Sequence, residues 1–148
     1  MKNLPLSQVQ RKWIARGLIG IVLFFNVQCA VVFLLQPESY AGGFELAGVP
    51  GRMMVQGMGL LFLMWNVPYA FAVSDPVARR VSLIEAIIMQ VIGVVGESAL
   101  LGTLPTEHWA LKDTALRFIA FDGGGLVLLL LGLWIVSSRS GLRPVDLQ

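Results

Sequence analysis

The chain has 148 residues, of which 56% are hydrophobic and only 14% are charged, and its formal net charge is +2. An average soluble domain has about 45–50% apolar and about 25% charged residues, so this composition argues against a soluble globular protein, a disordered chain and a nucleic-acid binder. A single cysteine and a single histidine exclude an internal disulfide and a Cys/His zinc site, and we expect no metal.

Four stretches are long and apolar enough to cross a bilayer, which takes about 20 mostly apolar residues in a helix. They are residues 13–36, 53–73, 81–104 and 117–138, followed by a polar tail at residues 139–148. The first stretch exceeds the apolar region of a signal peptide, which has about 7–15 residues, and we interpret it as a retained helix. The sequence therefore predicts a single all-α membrane domain, a polytopic four-helix transmembrane bundle.

Positively charged residues in the loops predict how the four helices are oriented. Eight of the eleven Lys and Arg residues lie on the side that carries both termini, and three lie on the other side. The eight are Lys2, Arg11, Lys12, Arg16, Arg79, Arg80, Arg139 and Arg143, and the three are Arg52, Lys112 and Arg117. We expect a multi-pass protein of the cell membrane with its N- and C-termini in the cytoplasm.

The two outer loops are predicted from proline, glycine and polar residues. The first runs from Pro37 to Gly51, after which the second helix is expected to begin. The second covers residues 103–114, where Thr106 or Asp113 is expected to cap a separate short helix.

Three ionisable residues lie inside the predicted spans, and such residues are functional candidates because lipid offers them no water. At about 1.5 Å of rise per residue, Glu85 lies near the inner end of its helix, whereas Glu97 and Asp122 lie at similar depth in the outer part. We expect Glu85 to extend to the membrane surface or to form a structural ion pair with Arg79, Arg80 or Arg16.

Several polar residues are predicted at or near the depth of Glu97 and Asp122. The candidate ligand-binding residues are Asn26, Gln28, Gln56, Gln90, Glu97, Arg117 and Asp122. Three interpretations stay open: polar contacts between helices, a ligand pocket, or a site for proton transfer between two carboxyl groups. Helix packing, and not the sequence pattern, sets the rotation of each helix and so decides whether Glu97 and Asp122 face each other.

Small residues predict where helices approach one another closely. Gly93, Gly96, Ala99 and Gly102 recur every three positions on the third helix, and residues 123–125 of the fourth are all glycine. The alternative is an opening lined by glycine. Asn66, just before the proline at position 68, is expected to satisfy carbonyl groups freed by a proline kink.

Four short motifs along the chain are similar to those of a known family. They are Arg16-Gly17 at the start of the first helix, Gln36-Pro37-Glu38, Gln56-Gly57-Met58-Gly59 and Asp122-Gly123-Gly124-Gly125. Over residues 16–136 the chain resembles the DoxX-like group of small four-helix integral membrane proteins. The resemblance implies the fold and a membrane setting, in which some members are small subunits of quinone-linked oxidoreductases, and it carries over no catalytic residue.

The favoured functional hypothesis is a non-catalytic membrane subunit or a lipid- or quinone-binding protein. One alternative is a membrane-embedded enzyme acting on a lipid or isoprenoid, with Glu97 and Asp122 as proton donor and acceptor. Another is a small proton-coupled exporter. No cofactor motif is evident, and a quinone is the candidate ligand. The expected partners are the lipid bilayer and either a second membrane protein or a second copy of the chain, without nucleic acid.

Overall fold

The computed structural model describes residues 7–138, and all the regular secondary structure in this range is helical. The elements are α1 (Gln8–Leu35), α2 (Glu38–Ala41), a 3-10 turn (Gly42–Phe44), α3 (Gly48–Trp65), α4 (Val67–Ser74), α5 (Arg80–Thr103) and α6 (Trp109–Ser137). Lys2, Arg139, Arg143 and the predicted tail lie outside the described residues.

Four helical stretches are long and apolar enough to cross a membrane: Gln8–Leu35, Gly48–Ser74, Arg80–Thr103 and Trp109–Ser137. The second of them consists of α3 and α4 in succession. The predicted all-α, four-helix transmembrane bundle is therefore confirmed. We call the side of the bundle that carries residues 36–47 and 104–108 the loop side, and the side that carries residues 7 and 138 the terminal side.

Three of the helices begin several residues earlier than the predicted spans, because polar or proline-containing turns precede the apolar residues. Ser7 caps α1 reciprocally: its hydroxyl accepts from the Gln10 backbone N–H at 3.2 Å, and the Gln10 side chain accepts from the Ser7 N–H at 2.9 Å. The first turn of α3 contains Pro50, where a missing N–H leaves no helical hydrogen bond unmade.

The prediction of a separate short helix in the second outer loop is wrong. No proline interrupts the chain between Trp109 and Ser137, and α6 runs through this range as one helix. This helix begins directly after its N-cap residue, His108, so neither Thr106 nor Asp113 caps it.

The second span is broken at Asn66, between α3 and α4. Pro68 has no N–H to donate to the Met64 carbonyl oxygen, four residues before it. The Asn66 side-chain N–H donates to the Phe62 carbonyl oxygen at 2.6 Å, and the same oxygen also accepts from the Asn66 backbone N–H at 3.1 Å. The Asn66 side chain thus bonds to a carbonyl next to the break, but not to the Met64 carbonyl from which Pro68 withholds a donor, and the expectation for Asn66 stays a prediction. The break has a consequence for packing: α3 packs mainly against α1, whereas α4 packs against both α1 and α5.

The terminal half of the bundle is closed by apolar packing. Its buried core is Ile19, Val22, Tyr69, Ala72, Leu83, Ala86 and Leu129. An ion pair of 2.5 Å between Lys12 Nζ and Asp75 Oδ2 joins the start of α1 to the turn that precedes α5. The loop half is different, because there α3 does not fill the space beside α5.

Candidate functional site

A cavity of about 750 Å³ lies in the loop half of the bundle, bounded by α1, α3, α5, α6 and the segment at residues 39–44. Six of the seven candidate ligand-binding residues line it: Asn26, Gln28, Gln90, Glu97, Arg117 and Asp122. Glu97 and Asp122, which come from different helices, thus share one cavity. Its volume falls within the range of about 300–1,000 Å³ that is usual for small-molecule sites.

A hydrogen-bonded network forms the base of the cavity, nearest the terminal side. The Gln90 side-chain N–H group donates to the Asp122 backbone oxygen at 3.1 Å and to Asp122 Oδ1 at 2.9 Å. The Tyr69 hydroxyl contacts both the Ala86 carbonyl oxygen, at 3.1 Å, and Gln90 Oε1. Tyr69 and Gln90 are buried, so this network connects α4, α5 and α6 away from water.

Two glycines make the network sterically feasible. A Cβ atom on Gly93 would overlap the Asp122 carboxylate, and one on Gly125 would lie 2.7 Å from Gln90 Nε2. A Cβ atom on Gly96 would meet no heavy atom within 4 Å, and this residue lines the cavity instead. The same open space surrounds Gly102, Gly123 and Gly124. The prediction of close packing is therefore correct at Gly93 and Gly125, whereas Gly96 matches the alternative of a glycine-lined opening.

Two oxygen atoms at the cavity are buried and accept no hydrogen bond from any described residue: Asn66 Oδ1 and Glu97 Oε2. Asn66 is only 5% exposed. The sequence pointed to Asn66 only as a kink residue, and its position before Pro68 was the sole signal. A buried acceptor without a donor costs free energy, so these two atoms are destabilising features at the edge of the cavity.

Aromatic side chains form the walls of the cavity on the loop side. Phe33 lies at their centre, with ring centroids 4.9–6.3 Å from those of its aromatic neighbours, which are Tyr40, Phe44, Phe62 and Phe118. Phe25 and Phe121 form a further edge-to-face pair at 6.4 Å. All these residues line the cavity. Sequence analysis missed the group around Phe33 because its five members are single residues on five separate elements.

The cavity opens sideways, along α5. Ile92 and Leu100 line it and are largely exposed, Leu100 to 70%. Both residues belong to a membrane-spanning helix. Arg117 and Ser39, also exposed, lie at the rim on the loop side.

Gln56 does not line the cavity, which corrects its assignment as a ligand-binding candidate. It faces α1, and its side-chain N–H group donates to the Leu34 carbonyl oxygen at 3.2 Å. Gly59, one turn further along α3, lies so close to α1 that a Cβ atom would approach the Ala30 oxygen to 2.9 Å. Gln56 therefore belongs to the α1–α3 contact.

The predicted ion pair of Glu85 is not formed. Glu85 is exposed on α5, and no basic group within the described residues lies within 4 Å of it. Arg79 instead places its guanidinium 5.0 Å from the ring centroid of Phe71. Arg80 is likewise exposed and makes no ion pair within residues 7–138.

The segment at residues 36–47 covers the cavity on the loop side and is held there by two contacts with the region around α6. The Thr114 hydroxyl donates to the Gly43 carbonyl oxygen at 2.7 Å. His108 Nδ1 lies 2.6 Å from Glu45 Oε2. The hydrogen bond to Glu45 raises the pKa of the His108 imidazole above its ordinary value of about 6.5.

This contact gives a prediction about pH. Because the pKa of His108 is raised in the folded protein, the stabilisation by Glu45 is fully present below pH 6.5. It is lost as the pH rises through the raised pKa. His108 is the one histidine of the chain, so an NMR titration of its ring protons reads this pKa directly. We expect a value above 6.5 that falls in Glu45→Gln; an unchanged value in that variant would refute the contact.

The donor set of the cavity suits an organic ligand. It consists of amides, carboxyl groups and aromatic rings, and within residues 7–138 no three His, Cys, Asp or Glu side chains are placed to hold a metal ion. The chain is thus a multi-pass α-helical membrane protein with a cavity in the loop half of its bundle. Comparisons with protein-family models, curated proteins and solved structures find no match. The resemblance to the DoxX-like group stays a prediction.

Proposed function

We propose that the protein is a non-catalytic membrane subunit or binding protein that holds an amphipathic, membrane-soluble molecule, a lipid or a quinone, in this cavity. One observation carries the proposal: a cavity of about 750 Å³ within a bundle of membrane-spanning helices combines a polar base with aromatic walls, and the exposed residues Ile92 and Leu100 line it. We place it in the cell membrane with both termini in the cytoplasm, as the distribution of Lys and Arg favours.

The three parts of the cavity match the three parts of such a ligand. The polar head would reach Asn66, Gln90 and Asp122 at the base. A ring or the first part of a chain would contact the aromatic walls, where offset and edge-on stacking contribute about 0.5–1.5 kcal/mol per pair. The rest of an apolar tail would leave past Leu100 into the bilayer, so the cavity needs to enclose only the head.

Native mass spectrometry of the protein, gently extracted from its own membrane, tests the proposal. We expect a stoichiometric small molecule to remain bound. Gly96→Phe should abolish its binding, because Gly96 lines the cavity and has open space around it. The matched control is Gly102→Phe, on the same helix with equal space but away from the cavity, where we expect binding to be retained.

Two outcomes would contradict the proposal. One is a protein without a bound small molecule when it is extracted under conditions that retain annular lipid. The other is equal loss or equal retention of the ligand in both phenylalanine variants, which would locate the ligand outside the cavity. The same spectra show whether a second copy or another membrane protein accompanies the chain.

A second candidate function is favoured by one observation, namely that Glu97 and Asp122 line the same cavity. Two carboxyl groups in one site can transfer protons to and from a bound substrate, as a membrane-embedded enzyme on a lipid or isoprenoid requires. If the protein is such an enzyme, Glu97→Gln and Asp122→Asn each abolish turnover of the co-purified molecule. Retained turnover in both variants would eliminate this candidate.

A further inference from the structure

We propose that the cavity binds the head of a zwitterionic lipid, with a phosphate group at Arg117 on the rim and an ammonium group towards Glu97 and Asp122. This inference rests on the proposed function, because it names the ligand class of the same cavity and favours a charged lipid over a quinone. The observation behind it is that acidic and basic side chains line one cavity without pairing with each other.

The packing of α5 against α6 gives the relative depth of these charges. Two close contacts fix the register of the two helices, namely Gly93 against Asp122 and Gly125 against Gln90. The same antiparallel register places Arg117 at the level of Glu97. Asp122 lies five residues further along α6, about 7.5 Å nearer the terminal side. The cavity therefore has a positive and a negative group at one level and a second negative group deeper inside.

None of the three charged side chains that line the cavity pairs with an opposite charge among the described residues. They are Glu97, Arg117 and Asp122. The ion pairs within residues 7–138 lie elsewhere, at Lys12–Asp75, Arg52–Glu38 and His108–Glu45. Charged side chains inside a membrane span pair with one another or mark a binding site. An acid and a base at one level that do not contact each other therefore leave both charges to a ligand.

Arg117 suits the phosphate group of such a head. Its planar guanidinium can donate two parallel hydrogen bonds to a phosphate, which an ammonium side chain does not do. Arg117 lies at the exposed rim together with the Ser39 hydroxyl, which is a further donor. A phosphate held at the rim leaves the attached apolar tails outside the enclosed part of the cavity.

Glu97 and the aromatic walls suit the ammonium group. Of the two Glu97 carboxylate oxygens, Oε2 is enclosed by the protein, which leaves Oε1 as the atom that can meet a ligand. A cation is also attracted to the faces of aromatic rings. Phe33, Phe62 and Phe118 line the same cavity, with ring centroids 5.8–6.3 Å apart. Asp122 adds a second negative group towards the base.

Charge, and not the number of hydrogen bonds, makes the selection. Lining amides such as Asn26 and Gln28 can donate as well as accept, so they suit heads of either kind. A quinone would leave the charges of Arg117 and Glu97 without a counterpart, and a head with a single charge would leave one of them.

The experiment supplies the delipidated full-length protein in detergent with equal amounts of four lipids that carry the same two oleoyl chains. Their heads are phosphocholine with both charges, phosphoglycerol with the negative charge, trimethylammonium with the positive charge, and the uncharged hydroxyl of diacylglycerol. Native mass spectrometry measures how much of each lipid stays bound. The amount that persists in Gly96→Phe is subtracted as binding outside the cavity.

We expect the phosphocholine lipid to exceed each of the other three by about tenfold, because each of them leaves at least one charged side chain without a partner. Arg117→Gln should reduce its excess over the trimethylammonium lipid towards one and leave its excess over the phosphoglycerol lipid unchanged. Glu97→Gln should do the reverse. The matched control is Arg52→Gln, an exposed arginine of α3 that does not line the cavity, and it should change neither ratio.

Equal retention of the phosphocholine lipid and either single-charge lipid would overturn the inference while leaving a lipid in the cavity. Ratios that respond neither to Arg117→Gln nor to Glu97→Gln would overturn it as well. A preference for diacylglycerol would do the same, in favour of an uncharged head such as that of a quinone. Binding of none of the four lipids above the Gly96→Phe signal counts against both the inference and the proposed function.

Discussion

Replacing Tyr69 by alanine is expected to lower the free energy of unfolding by about 3 kcal/mol, the largest loss from a single substitution in this fold. Tyr69 is fully buried, and it is the largest fully buried side chain of the described core. Truncation of a buried aromatic residue to alanine costs about 3–5 kcal/mol in soluble proteins. We take the lower end because the apolar solvent of a membrane protein reduces the cost of exposing apolar surface.

The position of Tyr69 explains why the effect extends beyond packing. Its ring belongs to the terminal-side core, and its hydroxyl contacts Gln90, which in turn holds Asp122. Losing the side chain therefore leaves a void and also frees the base of the cavity. We expect weaker ligand binding in addition to lower stability.

The measurement is reversible unfolding in mixed micelles, followed by circular dichroism. Tyr69→Phe keeps the ring and removes only the hydroxyl, so its loss should be about 1 kcal/mol. Phe71→Ala, on the same short helix but 48% exposed, is the matched control and should change stability by less than about 1 kcal/mol. Equal losses for Tyr69→Ala and Phe71→Ala would show that the core does not depend on Tyr69.

Much of the architecture follows from sequence because the bilayer leaves few choices. Backbone groups in lipid must be satisfied internally, so apolar stretches of sufficient length become helices. Helical rise then sets depth, which is why the sequence predicts Glu97 and Asp122 at one level, and both line the same cavity. The first and third helices begin at Gln8 and Gly48, several residues before the predicted spans. Polar and proline-containing turns extend each helix beyond its apolar part.

The rotation of each helix about its axis could not be predicted from the sequence, and this rotation decides which polar residues contact one another. Gln56 and Gln90 are both single amides within apolar helices, yet Gln56 bonds to α1 while Gln90 supports the cavity. The break at Asn66 determines this difference, because it lets α3 pack against α1 and leaves the space beside α5 open. No periodic pattern in the sequence predicts that α3 packs against α1 and not against α5. No such pattern predicts that Phe33, Phe62 and Phe118 come together either.

Two alanine substitutions one helical turn apart are expected to have opposite effects on stability. Gly93→Ala should lower the free energy of unfolding by about 1–3 kcal/mol, the range typical of overpacking. Its new Cβ atom would overlap the Asp122 carboxylate, which Gln90 holds in place. Gly96→Ala meets no atom within 4 Å and should raise the free energy of unfolding by up to about 1 kcal/mol through helix propensity.

A double variant separates steric overlap from other effects of Gly93→Ala. If the Asp122 carboxylate is what the new methyl group meets, then Asp122→Ala removes the obstacle. Gly93→Ala should then cost nothing further in the Asp122→Ala background, a coupling of about 1–3 kcal/mol in a double-mutant cycle. The same cycle with Gly96→Ala should be additive. Additivity in both cycles would contradict this account. It would mean that the Asp122 carboxylate does not occupy the space beside Gly93, at the interface between α5 and α6.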